Sequence, residues 1–81
     1  MNIQELHIEL EDRKISTNRY YLHGLYGSSN QEGKLSLVIR RGKFTIEYDV
    51  FYVERGEEHS KRTFYDENSA CEYFLHKIQE E

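Results

Sequence analysis

Tyr48-Asp49-Val50-Phe51-Tyr52-Val53-Glu54-Arg55-Gly56 is the longest apolar, β-favouring run in the chain, and it ends in a charged pair and a glycine. The lead-in to it is regular. Phe44, Ile46, Tyr48 and Val50 alternate with Thr45, Glu47 and Asp49, the period of a half-buried strand, which the spacing starts at Lys43. The alternation then fails, because Val50, Phe51, Tyr52 and Val53 are apolar in succession. Both faces of the strand are covered there, or a bulge shifts the register by one residue. A helix on one face and a loop or partner on the other gives the same pattern. Arg55-Gly56-Glu57-Glu58-His59 reads as a charged turn, and Lys61 to Tyr65 as a short returning strand.

Working outward, Leu35 to Arg40 reads as a strand with Leu35, Leu37 and Ile39 on one face. It joins the central strand through a tight Arg41-Gly42 turn, with Gly42 free to take positive φ. His23 to Gly33, with Gly24, Gly27, Ser28, Ser29, Asn30 and Gly33, is the most loop-like segment. A phosphate-binding loop needs a helix after it, and a strand follows here. Arg19 to Leu22 reads as a short strand, an uncovered edge on which two copies could pair. Asn2 to Lys14 fits two patterns. Ile3, Leu6 and Leu10 share a helical face with His7, yet Leu6, Ile8 and Leu10 also alternate as in a strand. Helix is preferred, because Asn2 and Glu5 form a capping-box pattern and Arg13 and Lys14 suit a last turn. At the other end Asp66 is placed to cap a helix whose first turn is acidic at Glu67. In that helix Ala70, Phe74 and Ile78 form a stripe flanked by Cys71, Tyr73 and Leu75. The expected fold is therefore α+β, one domain over residues 1–81. It has an N-terminal helix, a four-stranded antiparallel sheet and a C-terminal helix packed on one sheet face. The other face is expected to be open and to carry tyrosines.

With 81 residues the chain buries a limited core, and its seven Tyr and four Phe supply bulk for half-buried sheet positions. Fifteen acidic against eleven basic residues give a net charge of −4. That balance argues against nucleic acid and suits a basic protein partner. The single cysteine excludes an internal disulfide framework and fits a reducing compartment. The first residues carry no basic and apolar export pattern, and no run approaches the ~20 apolar residues of a spanning helix. A cytoplasmic location is expected.

No residue set reads as catalytic. Cys71 and His76 lie five apart, too far round a helix to share a metal, and His7, His23 and His59 are isolated. Cys71 sits among Ala70, Phe74 and Leu75 as a small core residue. Glu54, Glu57 and Glu58 could be imagined as paired carboxylates, but a charged hairpin tip in so short a chain lacks pocket walls. No enzyme activity, cofactor or metal site is expected. Arg40, Arg41, Lys43 and Lys61-Arg62, near Tyr20, Tyr21 or Tyr52, would suit stacked RNA bases, a reading that the net acidity opposes.

Two segments carry a family resemblance. Tyr48 to Gly56 is followed, about ten residues on, by Phe-Tyr-Asp-Glu-Asn-Ser-Ala-Cys-Glu-Tyr-Phe-Leu at 64–75. The pair resembles small bacterial immunity proteins encoded beside polymorphic or contact-dependent toxins. In those, an aromatic strand ends in a Ser-Glu-Arg-Gly-like turn and a Phe-x-Ser-Glu-x-x-Ala-Cys-x-Tyr-Phe-Leu-like helix start follows. Tyr20-Tyr21-Leu22-His23-Gly24 fits their earlier Tyr-x-Leu-x-Gly segment. Val53, Asp66 and Tyr48 depart from the usual Ser, Ser and Trp, and residues 25–46 have no counterpart. The resemblance implies a non-enzymatic inhibitor that binds the catalytic domain of a cognate toxin, such as a nuclease, in the cytoplasm. On this reading the contact is made by the polar face and end of the central strand: Glu47, Asp49, Tyr52, Glu54, Arg55, Glu57 and Glu58. The alternative is a small nucleic-acid-binding or regulatory module.

Overall fold

The structure is a computed structural model that describes residues 1–80. In chain order it has α1 (Ile3–Asp12), a 3₁₀ turn (Thr17–Arg19), β1 (Tyr20–Leu22), β2 (Tyr26–Gly27), β3 (Leu35–Arg41), β4 (Ile46–Glu54), β5 (Glu57–Phe64) and α2 (Glu67–Gln79). The N-terminal ambiguity resolves to helix. The Asn2 side chain accepts from the Glu5 amide at 2.8 Å, and the Glu5 carboxylate accepts from the Asn2 amide at 2.9 Å, closing the capping box. Ile3, Leu6 and Leu10 are buried, whereas Ile8, which a strand would have turned inward, is exposed. α1 ends one residue early for its basic pair, and Arg13 serves as the C-cap. Asp66 caps α2 as expected, its carboxylate accepting from the Ser69 amide at 2.7 Å. α2 buries Ala70, Cys71, Phe74 and Ile78.

The sheet departs from the four-stranded antiparallel expectation. It has five strands in the order β2-β1-β3-β4-β5, and β1 runs parallel to β3, with Tyr20 beside Leu35 and Leu22 beside Leu37. The cause lies in the segment read as loop. His23 (φ 52°) and Gly24 (φ 72°) reverse the chain just after β1, so Tyr26–Gly27 returns along its outer side as β2. The chain then crosses back and starts β3 in the direction of β1. His23 holds the junction, its amide donating to the Leu37 carbonyl at 2.7 Å and its Nδ1 accepting from the Ile39 amide at 3.0 Å. Arg19–Leu22 is thus no sheet edge; β2 and β5 are the edges.

Gly27 is required by that geometry. Its φ is +84°, and a Cβ there would lie 2.5 Å from the Tyr20 carbonyl oxygen and 2.7 Å from a Tyr20 ring carbon. Gly27→Ala is expected to lower stability by about 2 kcal/mol, strain plus displacement of the fully buried Tyr20. Urea denaturation measures this, and an unchanged midpoint would mean that β2 shifts without resistance.

Two more boundaries differ. The β3–β4 connection is not a tight Arg41-Gly42 turn but a four-residue loop, Gly42 to Thr45, closed by the Gly42 amide on the Thr45 carbonyl at 2.7 Å. Gly42 does not take positive φ; a Cβ there would press on Glu47 and Thr45. β4 therefore starts at Ile46 rather than Lys43, and Phe44 stands 88% exposed in the loop. At the far end the turn is only Arg55-Gly56, with φ of 55° and 76°, the two-residue hairpin geometry that needs positive φ at both positions. β5 accordingly begins at Glu57, not Lys61.

The run of four apolar residues is explained on both counts. Both helices pack on one face of the sheet, against Tyr20, Leu22, Leu35, Leu37 and Val50, and these side chains form one core. Register places Tyr48 and Tyr52 on that same face, opposite Ile39 and Leu35. Phe51 and Val53 are buried on the other face, where Ser36 and Asp49 are buried too. The expected open, tyrosine-bearing face is therefore wrong for Tyr48 and Tyr52. A bulge does exist, but in β5: Val50 pairs with Arg62 and Tyr52 with His59, so Ser60 and Lys61 together oppose Phe51. Ser60 takes φ +56°.

Candidate functional site

The β4–β5 turn gathers most of the residues singled out from sequence. Its amides are clamped from outside the hairpin: the Glu32 carboxylate accepts from the Arg55 amide at 2.5 Å and from the Gly56 amide at 3.0 Å. Behind this clamp Lys34 and Gly33 continue the pairing alongside Val53. The hairpin end is thereby fixed, and Glu54 and Glu57 stand directly opposite each other across it. Like charges in that register destabilise a strand pair. No lysine, arginine or histidine pairs with either carboxylate among the described residues. Glu58 is paired with Lys61 at 3.1 Å and remains half exposed.

One strand position inward from Val53, Tyr52 lines an apolar cleft of about 280 Å³ between α2 and strands β3 to β5. Leu35, Val50 and Phe51 supply its buried lining, with Tyr52, Ser60, Tyr73 and Lys77 around them. Two features of the fold leave it open. Phe64 lies 5.2 Å from Tyr73, drawing that ring toward the other end of β5, with Arg62 also 5.2 Å from it. The bulge puts the small Ser60 where a larger side chain would fill the space.

Glu47 and Asp49 are placed differently, on the opposite face and within internal ion pairs. Asp49, 2% exposed, accepts from Arg40 Nε at 3.0 Å and from the Thr63 hydroxyl at 2.8 Å, and Lys61 lies 3.6 Å away. Arg40 also pairs with Glu47. Burial by itself pushes the Asp49 carboxyl up, but the hydrogen bonds from Arg40 and Thr63 and the charge of Lys61 outweigh it and hold the group below its ordinary range. The structure thus brings Tyr52, Glu54, Arg55, Glu57 and Glu58 to one end of the sheet and keeps Glu47 and Asp49 away from it.

Cys71 is buried in the core, and burial, with Glu67 nearby, pushes its thiol up to about 12. It is a neutral packing group at neutral pH. No cluster of three metal-ligating side chains occurs among the described residues. No helix among them is long and apolar enough to cross a membrane.

Glu32, Leu35, Ser60, Tyr73 and Lys77 had not been singled out as site residues. Tyr73 and Lys77, four apart beside the Ala70–Phe74–Ile78 stripe, mark a helix flank that sequence can find. Glu32 and Ser60 have no such signal, since each acts through a neighbour distant in sequence or through a bulge. No protein-family model, curated protein or solved structure matches the chain.

Proposed function

We propose that the chain is an immunity-type protein, which binds a basic toxin domain through the Glu54–Glu58 hairpin end and the adjoining cleft. The observation that carries the reading is the uncompensated Glu54–Glu57 pair, held rigid by Glu32 beside an apolar cleft. A fold that keeps two opposed carboxylates with no cation in ion-pair contact, although Arg55 and His59 border the same surface, accepts a loss of stability that a basic partner reverses. The cleft gives such a partner a place for one apolar anchor, and the carboxylates form a charged rim around it. The net charge of −4 steers a basic domain toward the chain. The resemblance carried by residues 48–56 and 64–75 points the same way. Inhibition needs no chemistry from the chain, only occupation of the partner's surface, and the cytoplasm of the producing cell is where it would act.

The test is co-expression with a toxin domain: if the gene for this chain lies beside one for a large secreted protein, the variable C-terminal domain of that protein is the one to use. Rescue of growth is expected, and its failure removes the reading. Replacing Glu54, Glu57 and Glu58 together by lysine is expected to weaken binding at least about 100-fold, or two factors of about 1.4 kcal/mol. Isothermal titration calorimetry reads the change. These positions are exposed, so the fold should persist, as circular dichroism can check. Unchanged affinity would place the contact elsewhere.

One observation favours the nucleic-acid alternative: Phe44 stands exposed on the β3–β4 loop with Lys43 5.5 Å from its ring and Arg41 nearby. A salt-sensitive mobility shift of single-stranded RNA, lost in Phe44→Ala, would support that module instead.

A further inference from the structure

β4 connects two ends of opposite character. At its start, the loop from Gly42 to Thr45 holds Phe44 at 88% exposure, with Arg41 and Lys43 near it and Ile46, 48% exposed, behind. At its end are the unpaired Glu54 and Glu57 and the cleft lined by Leu35, Val50, Tyr52 and Tyr73. Nine residues of strand hold the two ends roughly 30 Å apart, so Phe44 cannot reach its own cleft.

We propose that the occupant of this cleft in the free protein is Phe44 of a second copy. The proposal rests on the reading of the acidic end and cleft as the docking surface. Size and charge both fit. A cavity of about 150 Å³ accepts a benzene ring, and this cleft offers about 280 Å³ with an apolar floor. Lys77 on its rim can lie over the incoming ring as a cation–π partner. Arg41 and Lys43 flank Phe44 in the second copy, while Glu54 and Glu57 lie about 7 Å beyond Tyr52. The cations of one copy thus meet the uncompensated carboxylates of the other. Knob and socket are separate surfaces, so two antiparallel copies can exchange both contacts, or further copies can add head-to-tail. A basic partner that binds the acidic end must displace the second copy.

The experiment is sedimentation velocity on the purified chain from about 0.01 to about 1 mM, the range in which small contacts associate. It is run at about 0.01 M and at about 1 M ionic strength, where charges act over about 30 Å and about 3 Å. At low salt the weight-average sedimentation coefficient should rise with concentration, and at high salt it should stay at the monomer value. Phe44→Asp, with the knob removed, and the double variant Glu54→Lys/Glu57→Lys, with the socket's charge reversed, should each remain monomeric. Mixed, they should form one 1:1 species that does not grow, because one intact knob meets one intact socket. A wild-type chain that stays monomeric at low salt overturns the proposal. So does self-association of Phe44→Asp, or a mixture that stays monomeric. No second protein is present, so failure here leaves the partner reading standing. Loss of growth rescue with self-association intact removes only the partner reading.

Discussion

Phe74→Ala is expected to leave the chain largely unfolded at room temperature without denaturant. Phe74 is fully buried in α2, and it is among the largest fully buried side chains in the core shared by α1, α2 and the sheet. Removing a buried phenyl ring costs about 3–5 kcal/mol, the transfer term plus the void left behind. At roughly 0.05–0.15 kcal/mol per residue, a chain of this length has about 4–12 kcal/mol in total, and small chains fall at the low end. Far-UV circular dichroism against urea is the measurement. A variant that keeps a folded baseline and a midpoint above about 1 M urea would refute this, since a chain this small loses about 1 kcal/mol per molar urea. Phe74→Leu separates packing from hydrophobicity. It keeps most of the volume and should retain the fold with a loss of about 1.5 kcal/mol.

Asp49→Asn is expected to cost about 2–3 kcal/mol at neutral pH. The carboxylate is buried, and its removal leaves Arg40 and Lys61 facing each other around an uncharged amide. The estimate sits at the low end for a buried pair because both cations are half exposed. The pH dependence has a definite sign. The Asp49 carboxyl is held below its ordinary value, so the folded state releases its proton more readily than the unfolded chain. Its contribution is complete above about pH 5, and it is lost as pH falls through the unfolded value near 3.9 toward the lower folded one. Asp66, lowered by its hydrogen bonds from Ser69, loses its cap in the same direction. Wild type and Asp49→Asn should therefore differ most at pH 6–7, begin to approach each other below about pH 4, and converge only below the folded value. Urea midpoints measured across that range test it, and a gap that persists in acid would show that packing, not charge, sets the role of Asp49.

Local signals were legible in the sequence and non-local ones were not. The two caps, at Asn2 and Asp66, and the Ala70–Phe74–Ile78 stripe are set within one or two turns, and each is found where the residues put it. The failed alternation at Val50–Val53 correctly indicated coverage of both faces. It did not reveal that the bulge belongs to β5, because Ser60 adopts positive φ without being glycine, asparagine or aspartate. Phe44 continues the alternation of β4, yet β4 stops pairing at Ile46, and periodicity does not report where a neighbouring strand ends. The pairing of β1 with β3 depends on a two-residue β2 and a crossing of seven residues, 28–34, with no pattern of their own. At the candidate site the acidic turn could be read from composition. The cleft could not, since it is made by what α2 leaves uncovered.

The first turn of α1 is tied to the first turn of α2: the Ile3 amide donates to the Glu67 carboxylate at 2.8 Å, across 64 positions of chain. α2 also supplies Ala70, Cys71, Phe74 and Ile78 to the core. Synthesis on the ribosome makes this order matter. α1 and the five strands are made before the helix that covers their apolar side. Until α2 is made the core cannot close, and β5 is a sheet edge both before and after it closes. Its Glu57, Glu58, Lys61 and Arg62 then keep that edge from pairing with neighbouring chains during the wait.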